Sequence, residues 1–172
     1  MSSKQNYIEQ RVLVTAIIIK DHKLLMQKRI EKDYSRYHDK WTTPSGVLKI
    51  NEHPEDCIVR EVKEELNLDV KIIAMLPLVE SFPNHKDKYH FVYIGFLCEV
   101  IGGKLANTDP DHDISEVGWF DIRKLDQIVI RRGTRPTVLS GYKLWKILKK
   151  KNLKHDSKEF ILKSSSKIRY KH

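Results

Sequence analysis

GVLKINEHPEDCIVREVKEELNL runs from Gly46 to Leu68. Its second half crowds three carboxylates, Glu61, Glu64 and Glu65, into little more than one turn of a helix. Acids three or four residues apart on a helix repel by about 0.2–0.5 kcal/mol per pair. Pro54 suits a first helical turn, and Glu55 and Asp56 complement the positive end of the helix dipole. His53 is a poor N-cap, so the start is weakly marked. With Glu61 at zero and about 100° per residue, Glu64 falls at about −60° and Glu65 at about +40°. Ile58, Val62 and Leu66 fall between about +60° and +140°. One face therefore packs into a core, and the adjoining face carries the acids. Two readings follow. The acids form a solvated face, or they form a hard oxygen site for Mg²⁺ or Mn²⁺. The second removes the repulsion and points to phosphate chemistry, because magnesium binds through few carboxylates together with substrate phosphate.

The surroundings favour the second reading. Gly46 is followed by five residues and Glu52, then by seven residues and Arg60-Glu61, with Glu64-Glu65 beyond an aliphatic and one further residue. This resembles the signature of the Nudix hydrolases at every defined position but one. Asn67 stands where the family usually has glycine. A helix end in the left-handed conformation is needed there, and Asn is the next most tolerant residue. The departure bears on helix-end stability, by about 1 kcal/mol, and not on the acids.

The resemblance implies cleavage of the pyrophosphate bond in a nucleoside diphosphate linked to another moiety. The substrates it implies are a nucleoside triphosphate, ADP-ribose or a nucleotide sugar. It implies Glu61, Glu64, Glu65 and the Gly46 carbonyl as metal ligands, with Arg60 and Glu52 paired behind them. The metal, Mg²⁺ or Mn²⁺, lowers the pKa of the attacking water. The base is left open between Glu61, Glu64 and a carboxylate of the Asp109–Phe120 loop, where Asp113 is preferred to Glu116. Glu116 is a further candidate ligand. Arg29 is a candidate for phosphate, although a surface arginine is the commoner case. Tyr89 and Phe91 are candidates for base stacking, although strand aromatics are more often core. Trp41 is expected to pack below the site.

The rest of the chain reads as strands around helices. Arg11–Ile19 and Lys23–Arg29 are strands across a polar turn, Ile30–Lys40 is a loop, and Trp41–Leu48 is extended but broken by Pro44 and Gly46. Val70–Leu78 is a strand. The segment at 88–100 is apolar at both alternations, which predicts a central strand covered on both faces. Val117–Phe120 is a short strand before a helical turn, and Pro136–Lys150 carries a helical apolar stripe. A mixed sheet between helices follows, an α/β (α+β) fold. The resemblance makes it a Nudix-type α/β/α sandwich. The divisions are an extension over 1–10, the domain over 11–150 and a basic extension over 151–172.

The 172 residues suit one domain, and 40% are hydrophobic. No apolar run reaches the ~20 residues of a spanning helix, and the first ten residues have no apolar signal region. Cys57 and Cys98 form no metal or redox pattern, which suits free thiols in a cytoplasmic protein. The net charge of +9 lies wholly in residues 143–172, which hold 11 Lys/Arg against 2 Asp/Glu. Nucleic acid is therefore a candidate partner for that end. The rival readings are an RNA 5′-end pyrophosphohydrolase and a non-catalytic nucleotide-sensing module. The intact set Glu52, Glu61, Glu64 and Glu65 argues against the module. A dimer is among the options left open.

Overall fold

The structure, a computed structural model, describes residues 9–30, 38–81, 89–131 and 133–150. The strands are β1 (Glu9–Lys20), β2 (Lys23–Arg29), β3 (Lys40–Thr42), β4 (Ser45–Val47), β5 (Leu68–Met75), β6 (Val79–Ser81), β7 (Tyr89–Gly103) and β8 (Ile114–Asp121). The helices are α1 (Pro54–Leu66) and α2 (Thr134–Lys150), with a 3-10 turn at Ile122–Gln127.

β1 organises the sheet. Its first half pairs antiparallel with β4 and its last two residues with β2, while its other edge runs parallel to β7. β7 also pairs with β5 and β6, and β2 with β3 and β8. β1 and β7 are covered on both faces. Val14, Ala16 and Ile18 pack with Ile58, Val62 and Leu66 of α1, whereas Ile17 packs with Val138 of α2. This two-sided burial is why both strands are apolar at every alternation. The result is the expected α/β/α sandwich with a mixed sheet.

Differences lie at the edges. β8 is longer than its apolar run because β2 pairs with it from Lys23–Asp121 to Arg29–Ile114. The expected strand at Val70–Leu78 starts at Leu68 and stops at Met75, and β6 follows as a separate short strand. Glu9 and Gln10, assigned to an extension, belong to β1. α2 starts two residues before Pro136. The polar turn Asp21-His22 has φ of 49° and 59°, the left-handed pair that a tight two-residue hairpin requires. The remainder of the extension, most of the Ile30–Lys40 loop and the basic extension lie outside the described residues. Cys57 and Cys98 are free and buried, and burial pushes each thiol up to about 12. No described helix is long and apolar enough to cross a membrane.

Ile58 is fully buried between α1 and β1. Ile58→Ala is expected to cost about 2–5 kcal/mol, read as a lower urea midpoint with an unchanged slope.

Candidate functional site

α1 starts on Pro54 with no side-chain cap from His53. Its other end is fully satisfied. The last four carbonyls of a helix lack intrahelical partners. Here Asn67 N–H donates to Lys63, Thr108 Oγ1 to Glu64, Thr108 N–H to Glu65 and Ala106 N–H to Leu66. Asn67 is left-handed, at φ 53° and ψ 31°, as the position demands. The 104–109 loop thus pins the turn that carries Glu64 and Glu65.

The phase of the helix sorts the acids. Glu65 lies beside the core face and its side chain is 5% exposed, while Glu61 is 15% exposed and Glu64 45%. Each has a distinct set of partners. Glu65 accepts from Gln27 Nε2 at 3.0 Å on Oε2 and from Arg29 Nη2 at 2.5 Å on Oε1. Burial pushes its carboxyl up to about 7, with Glu61 and Asp109 adding to the rise and Arg29 and Gln27 opposing it. Glu61 lies against the Cα of Gly46, where an added Cβ would collide with its carboxylate. Arg60 faces Glu61 Oε1 at 2.7 Å and Glu64 Oε2 at 3.0 Å, and it grips both oxygens of Glu52 at 2.7 and 3.1 Å. That fork holds the Glu52 carboxyl down at about 2, and the Glu52 pair in turn raises the Arg60 pKa above its ordinary value.

The expectation of three acids converging on one point needs correction. Among the described residues, no three His, Cys, Asp or Glu side chains are gathered closely enough to hold a metal ion as they stand. The cause is the arginines: Arg60 draws Glu61 and Glu64 to its own fork, and Arg29 draws Glu65. The donor set still fits a hard divalent cation. It consists of carboxylate oxygens on adjoining helix positions, one of them seated on a glycine whose lack of a side chain leaves room for it.

Other candidates are placed differently. Arg29 is no surface arginine: its side chain is 15% exposed, and it also donates to the Ser45 carbonyl at 2.9 Å. Asp113 is half-buried. Its N–H donates to Asp109 Oδ2 at 2.7 Å, and its carbonyl accepts from the Ile30 N–H at 2.8 Å, one residue beyond Arg29. Glu116 is not brought to the acids. It pairs with Lys28 Nζ at 3.1 Å, and Lys28 points to the strand face opposite Gln27. Tyr89 and Phe91 lie with Leu13 and Tyr93 on the α2 side of the sheet, where Phe91 is buried core. Trp41 also packs on that side, edge-on to Phe120 with centroids 4.4 Å apart.

Two residues escaped the sequence reading. Gln27 sits on a strand whose alternation puts Leu25 toward α1, so a polar residue two further on was the available signal. Asp109 is buried, and it accepts from the N–H groups of Asp111, Asp113 and Ile114. An acid opening a loop carries no mark of that role.

A family model described as the NUDIX domain matches residues 9–138. The chain is 31% identical over 140 residues to an ADP-ribose pyrophosphatase of Methanocaldococcus jannaschii, across 81% of this chain and 77% of that protein. It is 30% identical over 110 residues to the NAD-capped RNA hydrolase NudC of Vibrio atlanticus, but spans only 36% of that protein. A MutT NUDIX hydrolase from Burkholderia pseudomallei has the same fold, with a TM-score of 0.65 at 24% identity over 77% of this chain and 98% of that one. A sandwich with a glutamate-bearing helix behind Gly46 thus defines a NUDIX-domain protein. The chain belongs to the Nudix hydrolase family.

Stability should report the Arg60 fork. The Glu52 carboxyl is depressed from 4.5 to about 2, so its contribution is complete above pH 4.5 and is lost as pH falls towards 2. Thermal melts of Glu52→Gln and of the parent should therefore differ above pH 5 and converge as pH approaches 2.

Proposed function

We propose that the chain is a divalent-metal-dependent pyrophosphohydrolase of a nucleoside diphosphate joined to a second moiety, with ADP-ribose the first substrate to test. The 31% identity to an ADP-ribose pyrophosphatase across 77% of that protein carries the substrate reading. The glutamates seated between Gly46 and Arg29 support the metal reading. Glu61, Glu64 and Glu65 with the Gly46 carbonyl hold Mg²⁺ or Mn²⁺ in this reading, and Arg60 and Glu52 steady them from behind. The ion supplies charge neutralisation at the diphosphate and a more acidic water. The base is Glu61, Glu64 or Asp113. Arg29 orients Glu65 and lies at the rim where a phosphate would arrive. Neither aromatic candidate is carried forward for base stacking: Phe91 is core, and Tyr89 lies with it on the sheet face away from the glutamates, its ring covered by the Arg11 guanidinium carbon 3.8 Å from its centre. A cytoplasmic location fits the free thiols.

A second reading is hydrolysis at a nucleotide-capped RNA 5′ end. The identity to NudC and the charge of the basic extension favour it.

The test is a panel of ADP-ribose, nucleoside triphosphates, nucleotide sugars and NAD-capped RNA, with products identified. ADP-ribose with Mg²⁺ should yield AMP and ribose 5-phosphate. EDTA should abolish this, and Glu61→Gln should lower kcat by at least about 100-fold, as expected when charge stabilisation in a transition state is lost. Gly46→Ala, whose methyl would meet the Glu61 carboxylate, should lose activity while remaining folded by circular dichroism. Turnover that persists in EDTA overturns the metal reading. Preference for capped RNA with strong salt dependence replaces the small-molecule one.

A further inference from the structure

Gln27 is a buried amide that the proposed chemistry does not use. It is 0% exposed in the middle of β2, between Met26 and Lys28, on the strand face where Leu25 packs into the α1 core. Across the sheet it stands level with Thr42 on β3 and Val117 on β8. Its Nε2 donates to Glu65 Oε2 at 3.0 Å. Its Oε1 is buried and has no hydrogen-bond partner among the described residues. An unsatisfied buried carbonyl is a standing penalty, and a leucine or methionine there would remove it. The fold keeps the amide nonetheless, and what the amide touches is one carboxylate.

Arg29, two residues on, takes the other oxygen of that carboxylate and anchors itself on the Ser45 carbonyl, next to Gly46. The two oxygens of Glu65 thus have separate donors from one strand. Each carboxylate oxygen has two lone pairs, so one acceptor site on each stays available while the plane of the group is fixed. Glu61 and Glu64 have no such arrangement, since among the described residues both are held through Arg60.

We infer that Gln27 is a positioning residue that sets the carboxylate plane of Glu65 so that its remaining lone pairs face a divalent cation. It touches neither substrate nor reacting atoms and acts only through Glu65. This rests on the metal reading above. The role is separable from simple packing. A packing residue exchanged for an apolar one of like volume changes stability and leaves ion affinity alone, whereas a positioning residue changes affinity.

Binding of Mn²⁺ to the full chain, followed by the electron paramagnetic resonance of free Mn²⁺, tests this without turnover. Four proteins are compared: the parent, Glu61→Gln, Gln27→Met and Gln27→Asn. Methionine keeps the volume and deletes the donor. Asparagine keeps the amide and withdraws its reach, and it also serves if Met fails to fold. Both Gln27 variants should bind Mn²⁺ about 10–100-fold more weakly, the usual cost of losing a group that orients a ligand. Their unfolding should remain cooperative. The Mn²⁺ concentration giving half-maximal hydrolysis should rise by the same factor, with a smaller change in maximal rate. Folded Gln27 variants that bind Mn²⁺ as the parent does, while Glu61→Gln loses it, overturn this inference alone. Glu61→Gln binding as well as the parent overturns the metal reading and the inference with it.

Discussion

Arg60 is the charge that lets acids share one end of a helix. Its fork reaches Glu52, Glu61 and Glu64, and Arg29 serves Glu65. Four glutamates against two arginines leave an excess of negative charge, up to two when all four are ionised, beside the sheet and helix. Like charges in a partly dry site are costly in proportion to their desolvation, and the raised Glu65 carboxyl registers that cost. In the proposed metal reading, a divalent cation would supply the missing charge. The same constraint explains why the arginines are semi-buried: two exposed pairs would contribute little.

The site depends on the fold through three strand-level details. β1 fixes Gly46 opposite Val14 by pairing with β4, and so sets the floor on which Glu61 lies. β2 delivers Gln27 and Arg29 by alternation, past a register shift at Lys28/Arg29 where it meets β8. The 104–109 loop closes the carbonyls of Glu64, Glu65 and Leu66, and Asn67 closes that of Lys63, so the turn bearing Glu64 and Glu65 does not fray. Sheet, strand end and loop therefore converge on four side chains from three directions. A shift of one residue in β2 would turn Gln27 away from the helix.

Most of this architecture was legible because burial writes a period into sequence. The two-sided strands β1 and β7, the apolar stripe of α1 and the left-handed Asn67 all follow from local rules. The glutamate cluster was legible through its spacing. The partners of Glu65 were not. Gln27 and Arg29 belong to a strand 36 to 38 residues before Glu65, and no local periodicity links them to it. Glu116 and Asp109 illustrate the same limit. Glu116 lies in β8, where pairing with Lys28 takes it to the far face, and Asp109 lies in the preceding loop, where it is buried and accepts from three backbone N–H groups. The register between β2 and β8 decides the first, and the turn of the loop decides the second.

The burial gradient along α1 assigns unequal tasks to acids that look equivalent in sequence. Glu65 is fixed by two donors from one strand and by its own burial, so ordering it on ion binding would cost little further entropy. Glu64 is nearly half exposed and, among the described residues, tied through a long arginine, so in the proposed reading it would be free to exchange Arg60 for an ion or a water. Glu61 sits between them, confined by the glycine floor but shared with Arg60. In the proposed metal reading, a rigid ligand would set where the ion sits, and a looser one would follow the change in charge as a bond breaks. One helix supplies both because its 100° step carries successive acids from the core edge to solvent.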